Sequence, residues 1–187
     1  MSKGNQPTDG GNLLMDDVEK EALLLAEPQV GKWLHPFLGA EEFLNSISRW
    51  CLWLKGISPA ELRAMPQVMK RVEAVKAMRL ASSKAATVEL ANTPTLFGEI
   101  RQTEQPYLVI PRVSSENRRY IPVGFLDAQV ICSDANFMLP NATLYHFGGL
   151  LIEDTAQAAS RVHPVIDYNY VLNQPIIGGE IVFRGLK

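Results

Sequence analysis

Apolar and polar positions follow two different periods along this chain, and the change of period divides it. After Asp16, the residues Val18, Ala22, Leu25 and Ala26 recur at helical spacing, Asp17, Glu19 and Glu21 suit the positive end of a helix, and Pro28 ends it. A second short helix is predicted over 39–47 (GAEEFLNSI), and the apolar run WCLWL at 50–54, bounded by Arg49 and Lys55, fits a buried strand. Ser58-Pro59-Ala60-Glu61 combines a capping hydroxyl, proline at the first helical position and a glutamate three residues after the cap, so a short helix begins there. Pro66 opens a longer one, to about Ala81, with Val68, Val72, Val75 and Met78 as its apolar stripe and Lys70, Arg71, Lys76 and Arg79 largely elsewhere. From Pro106 the texture turns to short β-rich segments, at 107–110, 120–123, 129–132, 137–139 and 144–147, punctuated by Pro, Gly, Asn and Asp.

These patterns predict an α+β fold with N-terminal helices followed by a small, mainly antiparallel β-rich region. Residues 1–14, rich in Gly, Asn, Thr and Asp, read as a disordered lead. One domain follows over 15–148, helical to residue 84 and β-rich from 85. The tail 149–187 has strand-like stretches at 166–172 and 180–183, with Pro175 and Gly178-Gly179 between them.

Composition narrows the function classes. The chain has 187 residues, 47% of them hydrophobic, enough for a buried core. Its apolar runs break well before the roughly 18 residues of a membrane span, and its first residues lack a secretory pattern, so no membrane partner and a cytoplasmic location are expected. Cys51 and Cys132 lie in apolar segments without CxxC spacing and read as free buried thiols. His35, His146 and His163 read as structural, and the Asn141-Ala142-Thr143 sequon as inert in that compartment. The net charge of -2 argues against a generic nucleic-acid binder. The distribution softens that objection, because residues 48–84 carry 8 Lys and Arg against 2 Asp and Glu between acidic flanks. Such a basic stretch is either a solvated helix face or a phosphate-facing surface.

At 112–124 the chain reads RVSSENRRYIPVG. Its hydroxyls, amide and two guanidiniums can hold phosphate oxygens while Glu116 orients an arginine; the same groups could equally tie the loop to its own sheet. This stretch, with RWCLWL, SPAELRAMPQVMKRVEAVKAMRLAS, PYLVIPRVSSENRRYIPVGFL and ATLYHFG in that order from about residue 12 to 148, resembles the target-recognition region of MmeI-like enzymes. Those are restriction-modification proteins built around an adenine-N6 DNA methyltransferase. The resemblance implies double-stranded DNA as partner, with Ser114, Ser115, Arg118 and Arg119 on the backbone; phosphate contact by Lys70, Arg71, Lys76 and Arg79 of the basic helix is an added hypothesis beside its reading as a solvated face. The resemblance also marks Arg112 and Asp134, at strand mouths, as base readers: Arg for guanine and Asp for its cytosine partner. A surface salt bridge between the two is the competing reading.

The catalytic signatures of such an enzyme are not found in this sequence. It has 12 prolines but no Pro-Pro pair for an Asn/Asp-Pro-Pro-Tyr/Phe turn, and no Gly-x-Gly follows a strand in its first half. GxxxxGK[ST], HExxH and GxSxG are absent too. The expectation is therefore a non-catalytic DNA-recognition module without a cofactor of its own. S-adenosylmethionine would belong to the complete enzyme, and a separate methyltransferase polypeptide is a candidate partner. After Gly148 the resemblance ends, which leaves a second reading, a truncated remnant or protein-interaction module that no longer binds DNA.

Overall fold

The structure, a computed structural model, describes residues 1–113 and 122–148, together with the backbone of two short strands at 176–177 and 180–181. The α+β class holds, but strands and helices are interleaved more than the sequence pattern implies. Two four-stranded sheets form. In the first, β1 (Ser2–Lys3), β8 (Asn136–Pro140), β5 (Tyr107–Pro111) and β6 (Gly124–Leu126) lie side by side, all antiparallel. The second runs β2 (Leu14–Met15), β4 (Trp50–Leu52), β3 (Leu34–Leu38), β7 (Ile131–Cys132), and its β3–β7 pair is parallel. Beyond these, β9 (Ile176–Ile177) and β10 (Glu180–Ile181) pair antiparallel.

The first dozen residues are not the disordered lead the composition suggests. Ser2 and Lys3 pair with Met138 and Phe137, Asn5 donates its amide N–H to the Cys132 carbonyl (2.7 Å), and Gln6 exchanges main-chain bonds with Glu99. Gly4 is required by this close approach, since a Cβ there would sit 2.3 Å from the Ser133 carbonyl oxygen. Gly10 and Gly11 turn the chain with φ of +63° and +83° toward β2.

Helices form where their caps predict. Asp16 and Glu19 make a reciprocal capping box for α1 (Asp17–Ala26), and Ser58 and Glu61 make one for α3 (Pro59–Arg63). Between them, α2 (Ala40–Asn45) leads into the WCLWL strand. α4 (Pro66–Leu80) buries Val68, Val72 and Val75 against the larger core, each worth roughly 1.5–3 kcal/mol of burial. Its N-terminus is capped from a distance: the buried Glu27 accepts from the main-chain N–H of Gln67 (2.6 Å) and Val68 (3.3 Å). α5 (Ala85–Glu89) and a 3₁₀ turn at Leu90–Asn92 follow.

Three expectations change. The predicted apolar stripe of α1 faces outward: Val18 and Leu25 are 77% and 84% exposed, and Ala22 and Ala26 are exposed, while Leu23 is the residue that is buried. The segment 144–147, read as a strand, lies in a helical turn over 144–148, where the Thr143 N–H and hydroxyl meet His146 Nδ1. The strand expected at 120–123 begins instead at Gly124, residues 120 and 121 lying outside those described. Among the described strands β1, β2, β3 and β9 were not foreseen; the LHPFL of β3 holds a proline and a histidine.

The larger core joins α1, α4, β2, β3 and β4 around Leu13, Leu23, Val30, Leu52, Leu54, Met65 and Phe97, with the Trp53 and Phe97 rings edge to face at 5.0 Å. A smaller core under the first sheet holds Tyr107, Val109, Leu126, Cys132 and Met138. Cys51 and Cys132 are free and buried, as expected.

Candidate nucleic-acid interface

The strands of the first sheet end where β5 hands over to residue 112 and the turn between β7 and β8 begins. Arg112 leaves β5 exposed, and its own main chain is pinned because its N–H donates to the Ala135 carbonyl (3.0 Å). Its Nη1 donates to the main-chain carbonyl of Asp134 (3.0 Å), and its guanidinium lies over the Phe137 ring, 6.0 Å from the centroid. The half-buried Asp134 accepts from Ser133 Oγ (3.4 Å) at Oδ1. The two candidate base readers therefore share one sheet end. Among the described residues no ion pair joins them; the guanidinium takes the carbonyl, not the carboxylate.

Lys3 belongs to the same neighbourhood. It is exposed on the edge strand and stands opposite Phe137 across the β1–β8 ladder. The sequence reading missed it, because it sits in the supposed lead. Ser114, Ser115, Glu116, Arg118 and Arg119 lie outside the described residues, as does everything expected of that loop.

The four cations of α4 divide. Lys70 and Lys76 are exposed. Arg71 is held at the base of α1, donating to the Asn12 carbonyl (3.1 Å) and pairing with Glu19 (2.9 Å). Arg79 is not available to a phosphate. It is fully buried and donates five hydrogen bonds, to the carbonyls of Pro7, Thr8, Leu90, Thr93 and Leu96, between 2.7 and 3.1 Å. Burial pushes its pKa down from the ordinary value, and the negative charge of Asp9 acts in the opposite sense. Arg79 thus clamps the N-terminal segment to the chain after α5; its spacing of 4, 7 and 11 residues from Val75, Val72 and Val68 puts it on the buried stripe, not outside it as expected.

Among the described residues, no three His, Cys, Asp or Glu side chains gather as a metal site. A cleft of 390 Å³ lies between α2 and β6, lined by Leu38, Glu42, Phe43, Ser46 and Phe125 among others. Its one described acid is committed, as Glu42 accepts from Arg49 Nε at 2.7 Å. No helix of the described residues is long and apolar enough to cross a membrane.

Comparison with known proteins gives one consistent picture. The family described as "MmeI, target recognition domain" matches residues 1–163. The chain is 34% identical over 148 residues to DNA methyltransferase A of Bacillus subtilis (strain 168), which takes in 79% of this chain and 17% of that protein. It also matches the structure of the type IIL restriction-modification enzyme MmeI in complex with DNA, at a TM-score of 0.79 and 46% identity. That match covers 80% of this chain and 20% of MmeI. The chain therefore spans about a fifth or less of the length of these relatives.

Proposed function

The chain belongs to the MmeI target-recognition domain family, and from that premise we propose that it reads double-stranded DNA through the end of its first sheet, with Arg112 and Asp134 addressing one base pair. The observation that carries the reading is their convergence, two side chains of opposite hydrogen-bonding character at adjoining strand ends. A guanidinium matches guanine O6 and N7, and a carboxylate accepts from cytosine N4. The match to a solved enzyme in complex with DNA supports DNA as the partner.

Backbone contact falls to Lys3, Lys70 and Lys76, which are exposed, and to Ser114, Ser115, Arg118 and Arg119 of the loop. Arg71 contributes only by giving up its bond to Glu19, and Arg79 drops out. S-adenosylmethionine is assigned to the complete enzyme by the resemblance, and this sequence carries no Pro-Pro pair for the methyltransferase turn that would hold the target amine. Methyl transfer, and the cofactor with it, belongs to another stretch of the enzyme or to a separate polypeptide.

The test is a salt titration of binding to a randomised duplex pool, for the wild-type chain and for Arg118→Ala combined with Arg119→Ala. Salt-sensitive binding that selects sequences, and weakens in the double variant, is the expected result. Each phosphate that is no longer neutralised should flatten the log–log salt slope by roughly 0.9. Replacing Arg112 and Asp134 together should change the preferred base at one position and leave the salt slope alone. A second reading, a protein-interaction module, is favoured by one feature, the outward apolar face of α1. No binding even at low salt would favour it over DNA reading.

A further inference from the structure

Asn5 is fully buried, and every polar atom of its residue is engaged. Its Oδ1 accepts the main-chain N–H groups of Arg101 (2.7 Å) and Gln102 (2.8 Å), while Nδ2 donates to Gln102 Oε1 (2.8 Å) and the Cys132 carbonyl (2.8 Å). Its main-chain N–H donates to the same Cys132 carbonyl (2.7 Å), and its own carbonyl accepts from Asp134 N–H (2.9 Å). The Asp134 and Ala135 carbonyls in turn hold Arg112. Gln102 completes the frame, its Nε2 donating to the Ala128 (3.1 Å) and Val130 (2.9 Å) carbonyls while Oε1 accepts from Cys132 N–H (3.2 Å).

We infer that Asn5 is a positioning residue for base recognition, setting the height of the turn that carries Asp134 and, through it, the reach of Arg112. This rests on the reading of Arg112 and Asp134 given above. Asn5 is too deeply buried to touch DNA, so its influence runs only through the turn. The argument is one of geometry and tolerance: a base-reading pair works when its donors and acceptors are held to a fraction of an ångström, and such placement comes from groups behind it whose own conformations are locked. An amide is the side chain that can serve here, because two main-chain donors and two acceptors converge on a single planar group. Aspartate has the same size and accepts the same two N–H groups, yet its side chain has no donor: Gln102 Oε1 loses that partner, and the Cys132 carbonyl keeps only the main-chain N–H of residue 5. The cost of that loss falls on the strand leading straight into Asp134.

The experiment selects sequences from a randomised duplex pool with the full chain, comparing wild type, Asn5→Asp, Arg112→Ala with Asp134→Ala, and Val72→Ala. The last lies in the larger core away from the turn, and serves as a variant destabilised without being repositioned. Nonspecific binding at low salt and thermal midpoints are measured alongside. Asn5→Asp is expected to lose ~10-fold or more of its enrichment at the base pair governed by Arg112 and Asp134. Its nonspecific affinity should remain, and Val72→Ala, though less stable, should keep the wild-type preference. If Asn5→Asp lowers the midpoint yet selects the same base as strongly as wild type, Asn5 is merely structural and the inference is overturned. If Asn5→Asp does not fold, Asn5→Ser, which keeps the buried site uncharged while giving up the planar amide's paired contacts, must shift the preference in its place; an unshifted preference overturns the inference. A wild-type chain whose selected sequences do not respond to the Arg112 and Asp134 change overturns the base-reading pair itself, and the positioning role falls with it.

Discussion

Lys76 and Arg79 stand one turn apart on α4 and are both cations, yet one faces solvent and the other is fully buried under five carbonyls. Helical periodicity does separate them: Arg79 lies 4, 7 and 11 residues after Val75, Val72 and Val68, on the buried stripe, and Lys76 falls beside it; the partners of Arg79, from the N-terminal segment and the turn after α5, are what the spacing does not show. Arg79→Ala should destabilise the fold by about 3–5 kcal/mol, since the carbonyls it serves lose their donor together; urea denaturation reads this directly. Lys76→Ala, by contrast, should leave the urea midpoint unchanged and act only on the salt dependence of DNA binding. The cysteines were legible from composition alone. Burial pushes the Cys132 thiol up to about 12 and raises that of Cys51 as well, so both are neutral and shielded at ordinary pH. A thiol reagent at pH 8 should label neither in the native protein and both in urea, and rapid native labelling would refute the placement of β4 or β7.

At the scale of elements, the chain announces its helix starts better than its strand ends. The box at Ser58 and Glu61 needs only four neighbouring residues, and it forms as read. Hydrogen bonds from Lys32 and then Ser58 hold the Glu61 carboxyl down at about 2. Because that value lies below its ordinary 4.5, the contribution of Glu61 is complete above the ordinary value and disappears as pH falls through the depressed one. An NMR titration of the Glu61 carboxyl should find its midpoint near pH 2, and Ser58→Ala should move it upward. The cap of α4 is of the opposite kind, since Glu27 lies some forty residues before the amides it accepts. Glu27→Ala should cost about 1–3 kcal/mol by thermal denaturation, a penalty no local motif foretells. Two misreadings, one of a helix face and one of a strand for a helical turn, have local causes. In α1 three consecutive leucines cover more than one face, so the spacing of Val18, Ala22 and Leu25 was a consistent stripe on the wrong side. At 144–147 an apolar run too short to show a period was settled by Thr143 and His146 capping each other.

For the whole molecule, the class and the family were readable, whereas the wiring between sheets was not. Gly, Asn, Thr and Asp in the first dozen residues resemble a solvated tail in composition, but here they supply an edge strand, a close backbone approach and a buried amide. The segment passes between the two sheets, meeting β8 at Ser2 and Lys3, the Asp134 turn at Asn5, and Arg79 at Pro7 and Thr8. Removing residues 1–12 should abolish cooperative thermal unfolding followed by circular dichroism, whereas a disordered lead would leave the midpoint where it was. β3 adds a second tie, pairing with β7 across more than ninety residues of sequence. The same threading bears on how such domains exchange specificity. Loops that contact bases look like cassettes that could be transplanted between relatives with two nearby junctions. In this molecule the turn bearing Asp134 is cut to fit a strand from the opposite end of the chain, so a graft of residues 101–136 alone would arrive on a foreign footing. The unit of inheritance is split, and a working chimaera has to carry residues 2–13 along with the loops they brace.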